Sequence, residues 1–214
     1  GYILRSDKSD WMNLYYYNWE GQLQAQLTNF DFRVSRLTKV DEENGKVYFV
    51  ATGKESTESH TYSVNLDGTG LTQLTEGAGV HSVSLSPDGS YLIDTWSNLR
   101  LPSRKEVRNA KGEFVRLISE TEYSYDPAKN PKTEIVRVQS TDGFNIPAKI
   151  TYPLNFDASK KYPVVFTIYG GPNAGGGLTC RYSDSRASWY AQNGIITVDA
   201  AHRASGQFGK AGLD

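Results

Sequence analysis

The stretch KYPVVFTIYGGPNAGGG occupies Lys161–Gly177 and changes character halfway along. Five apolar or β-branched residues, Val164–Ile168, lead into Tyr169, and glycine and proline follow at once. The apolar run predicts a buried strand that extends to Tyr169, and the glycines predict a turn. Functional groups are often carried where a rigid strand passes into a loop. Tyr169 is therefore the first candidate for chemistry.

The residues after this turn predict a helix and a second apolar strand. The helix is expected over Ser183–Gln192, with Gly194 at its C-cap, and the strand over Ile195–Ala200. The connection has the length of a βαβ crossover. Continuous apolar strands around a helix predict a parallel sheet that is covered on both faces.

The residues before the opening stretch predict a hairpin and a linker. Strands are expected over Glu134–Ser140 and Ile146–Tyr152, with a turn at Asp142-Gly143. The sequence YDPAKNPKTE, which begins at Tyr125, has two prolines and no apolar run, so it reads as a linker. The chain therefore divides near Tyr125.

Two kinds of hairpin alternate through the first 125 residues, and each is built around an x-Gly turn. One occurs at Leu14–Thr28, His60–Thr75 and Glu106–Ile118. The other occurs at Val34–Gly53 and Val80–Asn98. Equivalent turns are 44 to 47 residues apart. Two hairpins per unit of this length predict four-stranded β-propeller blades, two to three of them, with a β-sandwich as the alternative.

Composition narrows the class of protein without identifying a function. Apolar residues make up 38% of the 214 residues, charged residues 22%, and the net charge is −1. These values fit an ordinary globular protein and give no electrostatic reason to expect nucleic acid or an anionic membrane as a partner. The chain has no apolar run of the roughly 18 to 20 residues that span a bilayer, and no signal peptide is expected at its N-terminus. The single cysteine, Cys180, excludes an intramolecular disulfide and a cysteine-based zinc site, and no metal or cofactor is expected.

The motifs together resemble one family. Turns of the S-P-D-G type, a following hairpin, K-Y-P-apolar-Y-G-G-P and VDAAHRASGQFG are similar to the prolyl oligopeptidase superfamily of serine peptidases, and most similar to its dipeptidyl peptidase IV branch. The resemblance covers essentially the whole chain. It implies that residues 1–125 are the C-terminal blades of a β-propeller, and that residues 126–214 are the N-terminal part of an α/β-hydrolase domain.

The resemblance also implies a reaction. Members of this branch remove dipeptides from free N-termini, usually after Pro or Ala, through a Ser-His-Asp triad and a tyrosine that stabilises the oxyanion. Tyr169 stands at the position of that tyrosine. The alternative is that Tyr169 is an aromatic strand end whose hydroxyl is bonded locally.

The remaining catalytic parts are expected outside this chain. No G-x-S-x-G occurs in the sequence, so the triad is expected beyond Asp214. The glutamates that hold the substrate's amino group in this family are expected before Gly1. Glu42 and Glu43 are interpreted as solvated turn charges, and His60 and His81 as structural residues of the blades.

The segment after the last strand departs from the family pattern, which usually reads Asp-x-Arg-Gly-x-Gly. Here it reads Ala-His-Arg-Ala-Ser-Gly over Ala201–Gly206, so Arg203 matches while Ala201 and Ala204 do not. His202 is not the family's triad histidine, and Ser205 is interpreted as a loop residue. Cys180 has no neighbouring base in sequence and is expected to be an inert thiol.

Further expectations concern activity, association and cellular location. The chain alone is expected to lack peptidase activity, and its unpaired strand edges are expected to associate. The alternatives are an acylaminoacyl peptidase or oligopeptidase of the same superfamily, and a propeller interaction module with a non-catalytic hydrolase-like domain. The resemblance further implies peptide substrates, a homodimer at full length and export to the periplasm.

Overall fold

A computed structural model describes residues 1–122, 126, 128–168, 171, 178–183 and 186–213, with only the backbone of 186–188. The first part consists of three antiparallel sheets in which every strand pairs with its neighbour in the chain. The first sheet contains β1 (Tyr2–Ser9), β2 (Trp11–Tyr17) and β3 (Leu23–Gln26). The second contains β4 (Val34–Asp41), β5 (Lys46–Ala51), β6 (His60–Asn65) and β7 (Thr72–Gln73). The third contains β8 (Val80–Leu85), β9 (Tyr91–Ser97), β10 (Arg104–Asn109) and β11 (Phe114–Glu120).

The repeated hairpins of the sequence coincide with these strands. The first hairpin type forms β2–β3, β6–β7 and β10–β11, and the second forms β4–β5 and β8–β9. The turn glycines adopt the left-handed conformation that only glycine enters without strain, with φ of 61° at Gly45 and 72° at Gly89. Two four-stranded meanders therefore have the size and strand order of propeller blades, and a Greek-key sandwich does not fit this order.

Apolar side chains pack between consecutive sheets. The larger cluster includes Leu14 of the first sheet and Phe49 of the second, both fully buried. A smaller cluster joins Tyr48 and Leu74 of the second sheet to Leu92 of the third. The cores therefore lie between the sheets, as in a propeller whose blades stack face to face.

A mixed sheet follows the blades. It contains β12 (Thr133–Gln139), β13 (Asn145–Thr151), β14 (Val164–Thr167) and β15 (Ile196–Ala200), in the order β12-β13-β15-β14, with helix α1 (Arg186–Gln192) between the last two. β12 and β13 form the predicted hairpin, and β14 and β15 are parallel as predicted. The described residues between β11 and β12 contain no helix or strand, as expected of a linker.

Three details of the sequence prediction need correction. β14 ends at Thr167 and does not include Ile168, and Ser183 lies outside α1. The sheet is not wholly parallel, since β13 runs antiparallel to β15. Gly194 has the expected positive φ, 71°, after the end of α1.

The expectation that both faces of this sheet are covered is wrong for the described residues. Phe166 is 62% exposed and Ile168 is 70% exposed. β14 lies at the edge of the sheet, and no described element packs over the face that carries Phe166. An apolar run predicts a buried strand only where a second layer is available to cover it.

Candidate active site

The candidate site lies where the carboxyl ends of β14 and β15 come together. β14 and β15 are parallel, with Thr167 opposite Asp199. Because the two strands are parallel, the carboxyl ends of β14 and β15 lie on the same side of the sheet. Open α/β sheets bind ligands at this kind of edge. Tyr169, the predicted site residue, follows one residue beyond Ile168 and lies outside the described residues.

The segment after β15 is held by the hairpin beside it. Ala201 donates its backbone N–H to the carbonyl of Pro147 at 3.0 Å. A short 3₁₀ helix, Arg203–Ser205, follows, and Gly206 ends it with φ of 84°. The Arg203 guanidinium donates to Asp142 Oδ2 at 3.4 Å, and its Cζ lies 5.8 Å from the centre of the Phe144 ring. Arg203 is therefore anchored to the β12–β13 turn.

The same segment also contacts the blades. The Gln207 side chain is buried, accepts from Ser56 Oγ at 3.0 Å and donates to the Leu178 carbonyl at 3.3 Å. Lys210 N–H donates to the Asp10 carbonyl at 2.7 Å. The edge of the mixed sheet thus faces the first and second sheets, and the candidate site lies at the junction of the two parts of the chain. Gln207 could not be identified as a site residue from sequence, because nothing in its local sequence distinguishes a bridging amide from a loop residue.

An ion pair reinforces this junction. Arg137 of β12 pairs with Glu55, which lies on the loop between β5 and β6, and Arg137 also donates to Ser56 Oγ at 3.2 Å. Both ionic side chains are partly exposed, so we assign the pair a modest energy of about 0 to 1 kcal/mol. The ion pair positions the two parts of the chain, since it joins β12 to the same loop that Gln207 contacts.

The described residues of the junction do not form a nucleophile and base. Ser205 is 2% exposed, and its Oγ has no hydrogen-bond partner within the described structure. The buried His202 Nε2 also has no partner there. Ser205 is therefore a buried residue of the short 3₁₀ helix, where the sequence predicted a loop residue.

Cys180 lies on the propeller-facing side of this junction. Its backbone N–H donates to the Thr57 carbonyl at 2.9 Å, and the residue is buried. Burial, together with the nearby Glu58 and Glu55 carboxylates, raises the pKa of the thiol to about 11. A thiol that stays protonated is a poor nucleophile, which agrees with the inert thiol predicted from sequence.

The charged residues set aside in the sequence analysis lie apart from the junction or are structural. Glu42 and Glu43 are exposed in the β4–β5 turn. His60 and His81 are buried, and their rings stack with centroids 5.0 Å apart across the second and third sheets. Across the described ranges, no group of three or more His, Cys, Asp or Glu side chains could hold a metal ion. Among the same residues, no helix is long and apolar enough to cross a membrane.

Comparison with known proteins supports one family. Residues 1–103 match the family model described as the dipeptidyl peptidase IV (DPP IV) N-terminal region. The chain is 32% identical over 183 residues to a probable dipeptidyl-aminopeptidase B of Pyrenophora teres f. teres, which covers 83% of this chain and 20% of that protein. It is also 32% identical over 184 residues to dipeptidyl peptidase 4 of Trichophyton equinum, which covers 81% and 23%. The chain thus spans about a fifth of the length of these relatives.

Solved structures agree with the fold. The crystal structure of Porphyromonas gingivalis dipeptidyl peptidase 4 superposes with a TM-score of 0.84 at 24% identity, over 99% of this chain and 30% of that one. A putative dipeptidyl aminopeptidase IV from Bacteroides ovatus gives a TM-score of 0.77 at 25% identity, over 94% and 32%. These findings together confirm the family that the motifs indicate. Over most of its length, the chain is similar to the dipeptidyl peptidase IV branch of the prolyl oligopeptidase superfamily.

Proposed function

We propose that this chain is part of a serine-type peptidase that releases dipeptides from the free N-termini of peptides, after Pro or Ala at the second position. The support is the family, together with relatives that are named dipeptidyl peptidase 4 and dipeptidyl-aminopeptidase B. The reaction proceeds by attack of a serine on the acyl carbon and hydrolysis of the acyl-enzyme.

The domain division is part of this proposal. Residues 1–125 are the last blades of a propeller, and residues 126–214 begin an α/β-hydrolase domain. The parallel β14–α1–β15 unit after an antiparallel hairpin supports this division. So does a structural likeness that extends over 99% of the chain and therefore past the blades.

The observation that carries the proposal is that β14 and β15 are parallel and end on the same side of the sheet. Thr167 and Asp199 lie opposite each other, and the segment after β15 reaches the blades, where Gln207 contacts Ser56. Tyr169 comes two residues after Thr167 and in our proposal supplies an oxyanion donor. The tetrahedral intermediate places negative charge on the former carbonyl oxygen, and one well-placed donor lowers the barrier by about 3 kcal/mol.

The triad belongs to segments outside this sequence, because the sequence contains no G-x-S-x-G. Export to the periplasm and a homodimer at full length complete the proposal and rest on the family resemblance. Cell fractionation and light scattering of the full-length protein test these two points.

A substrate panel on the full-length protein tests the function. Gly-Pro and Ala-Pro chromogenic substrates should be hydrolysed, and the same substrates with an acetylated N-terminus should not. A serine-directed phosphonate should abolish the activity. Faster hydrolysis of the blocked substrates would contradict the proposal and favour an acylaminoacyl peptidase or oligopeptidase, while no hydrolysis of any substrate would favour an interaction module.

A further inference from the structure

One face of the mixed sheet carries a cluster of polar side chains, with Val165 and Ile135 in the same rows, and is called the polar face below. On the polar face, Thr151 lies opposite both Thr133 and Thr197 in the strand pairing. The next row along the sheet places Asp199 opposite both Lys149 and Thr167. Side chains in these two rows point the same way, because strand residues alternate between faces. Six polar side chains are thereby gathered on one side of the sheet.

A cavity of about 110 Å³ lies over this polar face. The sheet forms the floor of the cavity. The rest of the lining comes from Leu99 in the β9–β10 connection, from Arg181 and Ser183 before α1, and from Tyr190 in α1. This volume is well above the roughly 15 Å³ that one water molecule requires. The polar face of the sheet is thus covered. The Thr133 and Thr151 hydroxyls bond each other, with the oxygens 3.0 Å apart, and the other polar groups need partners inside the cavity.

The charges in the cavity are unbalanced. Lys149 Nζ lies 3.8 Å from Asp199 Oδ2, which is beyond hydrogen-bonding distance, and the Lys149 side chain is only 21% exposed. Within the part of the chain that the structure describes, Arg181 has no hydrogen bond or ion pair. Two cations therefore face a single carboxylate, and the Lys149 ammonium keeps three donors without an acceptor among the described residues. A half-buried ammonium in this condition favours an anionic ligand.

We propose that this cavity binds a small tetrahedral oxyanion and that the anion is inorganic phosphate. Lys149 and Arg181 supply the positive charge, and the threonine hydroxyls can donate to the remaining oxygens. Asp199 makes the proposed site selective among anions. A carboxylate repels a fully ionised oxyanion such as sulfate, whereas phosphate keeps a proton near neutral pH and can donate it to Asp199 in a hydrogen bond.

Calorimetric titration of the full-length protein with phosphate, sulfate and chloride at constant ionic strength tests the proposal. Phosphate should bind saturably, and sulfate at least about tenfold more weakly, since each 1.4 kcal/mol corresponds to a factor of ten. Lys149→Gln and Arg181→Gln should each weaken phosphate binding by about tenfold or more. Lys161→Gln, which removes an exposed lysine outside the cavity, should leave it unchanged.

Asp199→Asn tests the selectivity most directly, because it removes the charge that excludes sulfate and keeps the side-chain shape. Sulfate should then bind about as well as phosphate. The proposal fails if phosphate does not bind saturably, if sulfate binds as well as phosphate to the unaltered protein, or if Lys161→Gln weakens binding as much as Arg181→Gln. Arg181 is exposed, so its variant tests the site even if Lys149→Gln lowers stability. Phosphate binding does not depend on peptidase activity, so the two proposals succeed or fail separately.

Discussion

His81 Nδ1 lies 2.8 Å from Asp94 Oδ2, and both side chains are completely excluded from solvent. The other ring nitrogen, Nε2, lies 3.0 Å from the Gly77 carbonyl, which can only accept a hydrogen bond. Both nitrogens of His81 therefore face oxygen acceptors, and the Asp94 carboxylate is the partner of Nδ1. Arg108 Nε lies 3.3 Å from the same Asp94 oxygen, so this carboxylate also pairs with a buried cation. The His81 ring also stacks on Trp96, with the two ring centres 5.2 Å apart.

Removal of the Asp94 carboxylate should destabilise the blades strongly. Asp94→Ala removes the acceptor that faces His81 Nδ1 and one of the carboxylates that pair with the buried Arg108. Arg108 keeps its ion pair with Glu106, but breaking a buried pair by removing one partner costs about 3 to 5 kcal/mol. Urea denaturation followed by tryptophan fluorescence measures the loss in the free energy of unfolding. Asp31→Ala, which removes an exposed aspartate, should change it by less than about 0.5 kcal/mol. A loss below about 1 kcal/mol in Asp94→Ala would show that the pair is not a charged one.

Asp88, in the S-P-D-G turn, should titrate unusually low. Hydrogen bonds from the Ser86 hydroxyl, and then from the Ser90 hydroxyl and N–H, hold the pKa of its carboxyl at about 2. Because the folded pKa lies below the unfolded value of 3.8, the contribution of Asp88 to stability is fully present above pH 3.8 and disappears as the pH falls through about 2.

Carbon-detected NMR titration of the Asp88 carboxyl checks this value. Ser86→Ala should raise the pKa of Asp88, since it removes the first of the stabilising hydrogen bonds. Ser84→Ala, which alters an exposed serine of β8 outside the turn, should leave the pKa of Asp88 unchanged. A midpoint near 4 in the unaltered protein would contradict the turn geometry.

Cys180 should resist alkylation in the folded protein. Burial, followed by the charges of Glu58 and Glu55, raises the pKa of its thiol to about 11 from 9.0. The protonated thiol thus stabilises the fold below pH 9.0, and this stabilisation disappears as the pH rises toward about 11. Iodoacetamide at pH 8 should react slowly with the native protein and rapidly in urea. Cys180 is the single cysteine of this chain, so mass spectrometry of its peptide reports it directly, and Cys180→Ser gives the blank. Equal rates with and without urea would place the thiol at the surface.

The repeat and the turns were predictable because backbone conformation restricts residue choice locally. Gly45 and Gly89 occupy positions with positive φ, so their spacing reports the blade period. The parallel pairing of β14 and β15 was also predictable, since a helix between two apolar strands has few other arrangements. The exposure of Phe166 was not, because burial depends on a covering layer that a strand's own sequence does not specify.

The contacts among polar side chains in the blades and in the mixed sheet could not be predicted from sequence. His81, Asp94 and Arg108 lie on three successive strands, and only their register brings them together. Lys149 and Asp199 meet in the same way, across 50 residues of intervening chain. Tyr169 was named from the motif around it, and its role stays a prediction.

The kcat of the full-length Tyr169→Phe variant tests the central claim most directly. Loss of one oxyanion donor should lower kcat on a Gly-Pro substrate by about 10²- to 10³-fold and leave KM nearly unchanged, because the hydroxyl acts mainly in the transition state. Tyr91→Phe, which alters an exposed tyrosine in the blades, should retain full activity. A Tyr169→Phe variant with unaltered kcat would contradict the account, because the strand-end tyrosine would then be a packing residue.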